Sequence, residues 1–166
     1  KEIKTIAAQS VKTRVAAWDF EEESAEDAVF DITDHKYILS LADGAEIIDE
    51  ADQSSHVLKL KDDASAGLAE EVLKNLTTIT LEMDFLQTEH ENKQVLFEAE
   101  TEDGILKISV EDLQVTVEYQ SGGEAQTLTE SLTEADAWHT IALTVDQKIC
   151  LYLDGEKKAE NKLAED

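Results

Sequence analysis

Apolar side chains recur at every second position through much of this chain, and that periodicity limits what it can fold into. In Thr78-Ile79-Thr80-Leu81-Glu82-Met83-Asp84-Phe85, residues Ile79, Leu81, Met83 and Phe85 fall on one side. Thr78, Thr80, Glu82 and Asp84 fall on the other. Successive side chains of a β-strand point to opposite faces, so this segment predicts a strand with one buried face. Val95–Ala99, Ile105–Val110 and Leu113–Tyr119 continue the pattern, with Gly104 as punctuation. Ser121-Gly122-Gly123-Glu124 then predicts a hairpin turn. Trp138–Val145 and Lys148–Leu153 form the last alternating pair, joined at Asp146-Gln147, and Asp154-Gly155 is a strong turn signal.

Nearer the start, Arg14–Phe20 and His56–Leu60 predict strands, and Tyr37–Leu41 and Ala45–Ile48 give weaker strand signals around Asp43-Gly44. One short helix is predicted over Gly67–Asn75, from apolar Leu68, Val72 and Leu73. A helix that short depends on packing rather than propensity. Lys157–Asp166 is polar and predicts an exposed tail. Short strands punctuated by turns predict an all-β, antiparallel β-sandwich. The expectation is a single domain over 1–166, with 1–12 and 157–166 peripheral.

Composition narrows the partners. The 166 residues hold 39 acidic and 14 basic side chains, a formal net charge of −25, with the acids spread along both halves. Nucleic acid and anionic membranes attract a basic face, so neither is an expected partner. No stretch approaches the roughly 20 apolar residues of a membrane span. A lone cysteine excludes an internal disulfide framework and a cysteine-rich zinc site. The start at Lys1, without methionine or an apolar leader, suits a module of a longer chain.

The segment Leu76–Gly155 resembles the concanavalin A-like jelly rolls, specifically laminin G-like domains and the lectin-like modules at the front of bacterial sialidases. Thr77–Phe85 resembles their strand entering the core sheet, and Gln94-Val95-Leu96-Phe97 the strand after it. Ile105–Ile108 and Leu113–Val117 resemble the following hairpin. Trp138-His139-Thr140-Ile141-Ala142-Leu143-Thr144-Val145 with Leu151-Tyr152-Leu153-Asp154-Gly155 carries the most specific likeness, and Ala17-Trp18-Asp19-Phe20 is similar to their opening strand. Such domains continue past the Asp-Gly turn, whereas eleven charged-rich residues follow Gly155 here. The expectation is that residues 1–12, another segment or another chain completes the sheet.

The resemblance frames the candidate chemistry. Some jelly-roll glycosidases carry a Glu-x-Asp-x-x-Glu strand, in which one carboxylate is the nucleophile and another the general acid. Here Glu82 and Asp84 share a face, but Gln87 stands third and cannot donate and retrieve a proton. No catalytic residue is assigned. The sialidase-type modules place a Glu-x-Arg pair before a turn similar to Ser121-Gly122, where the arginine grips a sugar carboxylate. Thr116 and Glu118 occupy those two positions, and Arg14 is the chain's only arginine. The resemblance therefore implies a lectin-like module without sialic acid specificity.

A neutral sugar needs an aromatic platform beside polar groups. Tyr119 is the first candidate, at a strand end next to Gln120, and Tyr37 the second. Trp18, Phe20, Phe85, Phe97, Trp138 and Tyr152 read as core. The resemblance admits calcium, and Asp62-Asp63, Glu102-Asp103 and Glu111-Asp112 supply oxygen ligands, yet none has the loop spacing of a calcium site. His35, His56, His90 and His139 have no metal-ligand spacing, and Cys150 has no neighbouring base.

The sequence thus predicts a non-catalytic, glycan-binding module of a larger secreted or cell-surface protein, needing no cofactor. Tyr119, Gln120, Glu118 and Thr116 form its expected ligand site, and other domains of the same polypeptide are its expected neighbours. A protein-binding adhesion or spacer domain is the alternative, and a jelly-roll glycosidase the third.

Overall fold

The computed structural model describes residues 14–21, 27–51, 55–69, 71–74, 76–102 and 104–163. Among the described residues every regular element is a β-strand, and every pairing is antiparallel. The chain divides into two compact units, Lys1–Lys74 and Asn75–Asp166. Among the described residues no helix is long and apolar enough to cross a membrane.

In the first unit, β1 (Ala28–Phe30), β2 (Ile38–Ala42) and β5 (Ser65–Leu68) form a sheet in the order β1-β2-β5. β3 (Glu46–Glu50) and β4 (Ser55–Lys59) form a separate hairpin. Two expectations fail here. Arg14–Phe20 is not a strand: the Ala17 carbonyl accepts one backbone bond, from the Ile32 N–H, and on the N–H side a carboxylate takes the place of a neighbouring chain. The Ala17 N–H donates to Oδ1 of fully buried Asp31 at 2.8 Å, and Phe20, at φ 61, breaks the extended course. Asp31 also accepts from the Thr33 N–H at 2.9 Å. Burial pushes its carboxyl up, but hydrogen bonds from the Thr33 hydroxyl and from the backbone at Thr33, Ala17 and Tyr37 hold it below the usual range. The helix over Gly67–Asn75 is also absent from the described residues. Gly67 and Leu68 pair with Ser40 and Leu39, and 71–74 is a turn closed by the Lys74 N–H on the Glu71 carbonyl. Glu70 and Asn75 lie outside the described residues. A ladder already using 67 and 68 leaves too few residues to offset the cost of helix nucleation.

The second unit holds two four-stranded sheets. β7 (Gln94–Thr101), β8 (Gly104–Glu111), β9 (Gln114–Ser121) and β10 (Gln126–Ser131) follow one another in the order β10-β9-β8-β7. β6 (Ile79–Leu86), β11 (Trp138–Val145), β12 (Lys148–Leu153) and β13 (Glu156–Lys162) give β13-β12-β11-β6. Leu106, Ile108, Val110, Val115, Val117 and Leu128 of the first sheet are buried, as are Phe85, Ile141, Leu143, Val145, Ile149, Leu151 and Leu153 of the second. Each such side chain contributes about 1.5–3 kcal/mol relative to exposure. This is the β-sandwich that the alternation predicts.

One correction concerns its margin. The expected tail from Lys157 enters β13, which pairs with β12 through a bulge at Leu151/Tyr152. Asn161 Nδ2 donates to Gln126 Oε1 at 3.1 Å, which ties β13 to β10. Residues 1–12 and 164–166 lie outside the described residues. Two-residue turns link the hairpins: Asp112 and Leu113 both take positive φ (49 and 63), as do Asp154 and Gly155 (51 and 80). Such turns match the right-handed twist of the strands they join.

Candidate functional site

The site residues expected from the sequence lie on β9, and the pleat sorts them. Val115 and Val117 are fully buried, and Tyr119 follows them onto the inner face, half-buried. Thr116, Glu118 and Gln120 share the outer face with Gln114. Tyr119 therefore stands on the opposite side of the sheet from the three polar residues grouped with it. The other expected platform, Tyr37, is half-buried in the first unit under the His35 ring, stacked at 5.3 Å and 4°. Of the aromatics read as core, Phe85 is buried, while Trp18, Phe20, Phe97, Trp138 and Tyr152 are half-buried.

Register places polar side chains in rows beside the outer face of β9. Glu118 lies between Lys107 on β8 and Thr127 on β10, and Lys107 lies opposite Glu98 on β7. Thr116 lies between Ser109 and Thr129, and Gln114 between Glu111 and Ser131. Lys107 is ion-paired with Glu98, and its hydrogen bond there raises the ammonium pKa, with burial opposing. Lys93 Nζ reaches Glu118 Oε2 at 3.7 Å. Gln120 Nε2 donates to the Gly123 carbonyl at 3.2 Å, so its amide braces the β9–β10 turn.

At the Gln114 end the face runs into an open depression of about 580 Å³, lined by His90, Glu91, Glu111, Asp112, Gln114 and Ser131. His90 is fixed by two contacts. Its Nε2 lies 3.1 Å from Asp136 Oδ1, and its carbonyl accepts the Asp112 N–H at 3.2 Å. Gln114, Ser131, His90 and Glu91 were not singled out from the sequence. Gln114 and Ser131 were recoverable from alternation alone, whereas His90 and Glu91 arrive through a loop with no local signal.

The glycosidase-like strand does not converge on a site. Glu82 and Asp84 lie on the exposed face of β6, where Asp84 Oδ1 accepts from Thr140 Oγ1 at 2.5 Å. Gln87 lies past the strand end, buried, donating to the Glu89 carbonyl at 2.8 Å. Cys150 alternates with buried Ile149 and Leu151 as expected, and its Sγ lies 4.0 Å from Glu160. Glu160 is held at about 2 by Lys157 and Lys148, so it is no base for the thiol.

Among the described residues no group of three or more His, Cys, Asp or Glu is arranged to hold a metal ion. Asp62 and Asp63 occupy an exposed turn, Glu111 and Asp112 the rim of the depression, and Glu102 an exposed position. Asp103 lies outside the described residues. Neither a protein-family model nor a curated protein matches the sequence.

Proposed function

We propose that this chain is a non-catalytic module for a neutral glycan, of the concanavalin A-like, laminin G-like type, carried by a larger secreted or cell-surface protein. The observation that supports this is the outer row of β9. Gln114, Thr116 and Glu118 present amide, hydroxyl and carboxylate groups in line, leading into the depression beside His90. Sugar hydroxyls both donate and accept, and such a row offers partners of both kinds. Lys107 is engaged by Glu98 and Lys93 by Glu118, so neither cation is free for an anionic sugar.

No tyrosine or tryptophan of β9 stacks on this side, so hydrogen bonds carry the binding. At about 1 kcal/mol each, four bonds give roughly 4 kcal/mol, a Kd on the order of 1 mM. A module this weak works through several copies or through a neighbouring domain. The test is a glycan array probed with the full chain displayed as tetramers. A neutral glycan is expected to bind wild type and Tyr119→Phe, and to lose Glu118→Ala and Gln114→Ala. Binding to no neutral glycan, or binding insensitive to both alanine substitutions, would overturn the proposal.

A further inference from the structure

Residues 132–137 join β10 to β11 and are fastened at three points. Leu132 is buried, and its N–H donates to the Leu113 carbonyl at 2.8 Å. Asp136, at φ 52, holds His90 as described above. The Glu134 carbonyl lies 2.9 Å from Nε2 of His139 on β11. Nδ1 of the same ring lies 2.9 Å from Asp154 Oδ2 in the β12–β13 turn, and the residue is 6% exposed.

Both nitrogens of His139 therefore face oxygen acceptors. A neutral imidazole carries one N–H, and only the imidazolium supplies two. His90 differs, because its Nδ1 has no hydrogen-bond partner. A neutral His90 ring with its proton on Nε2 keeps the Asp136 bond. The two histidines thus hold the same segment with different dependence on protonation.

We propose that residues 133–137 are a pH-released strap: the His139 imidazolium ties the Glu134 carbonyl to the Asp154 turn, and loss of the Nε2 proton frees the strap. Nε2 is the site that loses its proton because Asp154 is the stronger acceptor. Its carboxylate makes a charge-assisted bond to Nδ1 and is itself oriented by the Thr140 N–H, on Oδ1 at 2.9 Å. A bare Nε2 would then set its lone pair against the Glu134 oxygen. The other groups facing the ring are Phe85 of β6, with centroids 6.0 Å apart, and the Glu134 carboxylate, whose charge acts on it; Lys158 of β13 acts on Asp154.

Burial works against the charged ring, yet Asp154 and the Glu134 carbonyl outweigh it, and the His139 pKa stands above its ordinary 6.5. Asp154 shows the mirror image. Burial would raise it, but the Thr140 N–H, His139 and Lys158 hold it below its ordinary 3.8. A raised histidine stabilises the closed strap fully below pH 6.5 and loses that contribution as pH climbs through the raised value. A lowered aspartate keeps its contribution until pH falls below 3.8. The strap is therefore closed below pH 6.5 and opens as pH climbs through the raised His139 value. Asp136 keeps its bond to His90 through this change, so the release is centred on the Glu134 end of the strap.

The test follows the full chain by histidine ring NMR and by amide hydrogen exchange from pH 5 to 9. At pH 6 both His139 nitrogens are expected to be protonated. Protection of the Leu132 amide at the strap's root, corrected for intrinsic exchange, should fall roughly tenfold as His139 titrates, the factor given by losing about 1.4 kcal/mol. A neutral His139 ring at pH 6, or protection that is flat through its titration, would overturn the strap. His139→Gln should abolish the step and His35→Ala, in the other unit, should retain it. A step that persists in His139→Gln would also overturn it, and if that variant does not fold, the wild-type titration decides alone.

Discussion

Replacing Gly104 with alanine probes how tightly the candidate face is built. Gly104 opens β8 opposite Ser121 of β9. An added Cβ would lie 2.5 Å from the Gln120 carbonyl oxygen and 3.4 Å from Gln120 C and Ser121 Cα. These are backbone atoms inside a hydrogen-bonded ladder, so no side-chain rotation relieves the contact. The end of β9 must move by several tenths of an ångström, and Gln120 with it. Overpacking of this kind costs about 1–3 kcal/mol. For a unit of this size each kcal/mol is worth about 4–8 °C, so the transition of residues 75–166 should fall by roughly 4–24 °C. Gly67→Ala is the matched control, because nothing lies within 4 Å of its Cβ in β5. There the loss of freedom in the unfolded chain should stabilise by about 0.4–1 kcal/mol. Calorimetry of both variants, with amide spectra of Gln120 and Ser121, measures the contrast. A Gly104→Ala protein as stable as wild type, with those two amides unmoved, would refute the close approach.

Two further outcomes are expected. Ile141 and Leu151 are fully buried in the sandwich, so Ile141→Ala and Leu151→Ala should each cost about 2–5 kcal/mol in urea denaturation, with the spread set by how far the cavity collapses. In the first unit, His56 lies between Glu21 at 2.9 Å and Asp49 at 3.0 Å, with its pKa raised chiefly by the Glu21 bond. That bond and Ser55 hold Glu21 at about 2. The tie is complete between the ordinary glutamate value, 4.5, and 6.5, weakens as pH falls toward 2, and weakens again as pH rises through the His56 value. Glu21→Gln should lower the His56 pKa measured by NMR, and an unchanged value would exclude the pairing.

The parts of the fold that were legible in the sequence are those whose two faces differ most. β11 runs half-buried and buried in strict turn from Trp138 to Val145, and its predicted ends match the strand. β12 matches as closely, and β6 is displaced by one residue. β10, Gln-Thr-Leu-Thr-Glu-Ser, was missed because Leu128 is its one buried residue. β13, with no buried residue, was misread as a tail. An edge strand with one partner and a charged outer row carries little hydrophobic pattern, and such charge is how edges resist further pairing. Arg14–Phe20 failed in the opposite direction. Val15 to Trp18 are half-buried, but the Ala17 N–H goes to Asp31, 14 residues away, and the Ala17 carbonyl takes the Ile32 N–H, partners that no local signal announces.

Of the expected site residues the sequence grouped four, and arithmetic along β9 separates one of them. Tyr119 shares its parity with Val115 and Val117, so once those two valines are buried the tyrosine cannot stand with Thr116, Glu118 and Gln120. Removing it from the face changes the kind of binding the face supports. A stacked aromatic holds a sugar ring by dispersion and excluded water, and tolerates few alternatives in orientation. A polar row holds it by exchangeable hydrogen bonds worth about 1 kcal/mol each, which water contests. The same row explains why the chain's acid excess does not create a cation trap on the sheet. Glu98 and Glu118 are spent on Lys107 and Lys93, so the rows nearest the middle of the face are internally neutralised. Uncompensated acids gather at the rim, where Glu91, Glu111 and Asp112 line the depression beside His90. Affinity at such a surface depends on holding that rim in one arrangement, and the contact between His90 Nε2 and Asp136 fixes one wall of it.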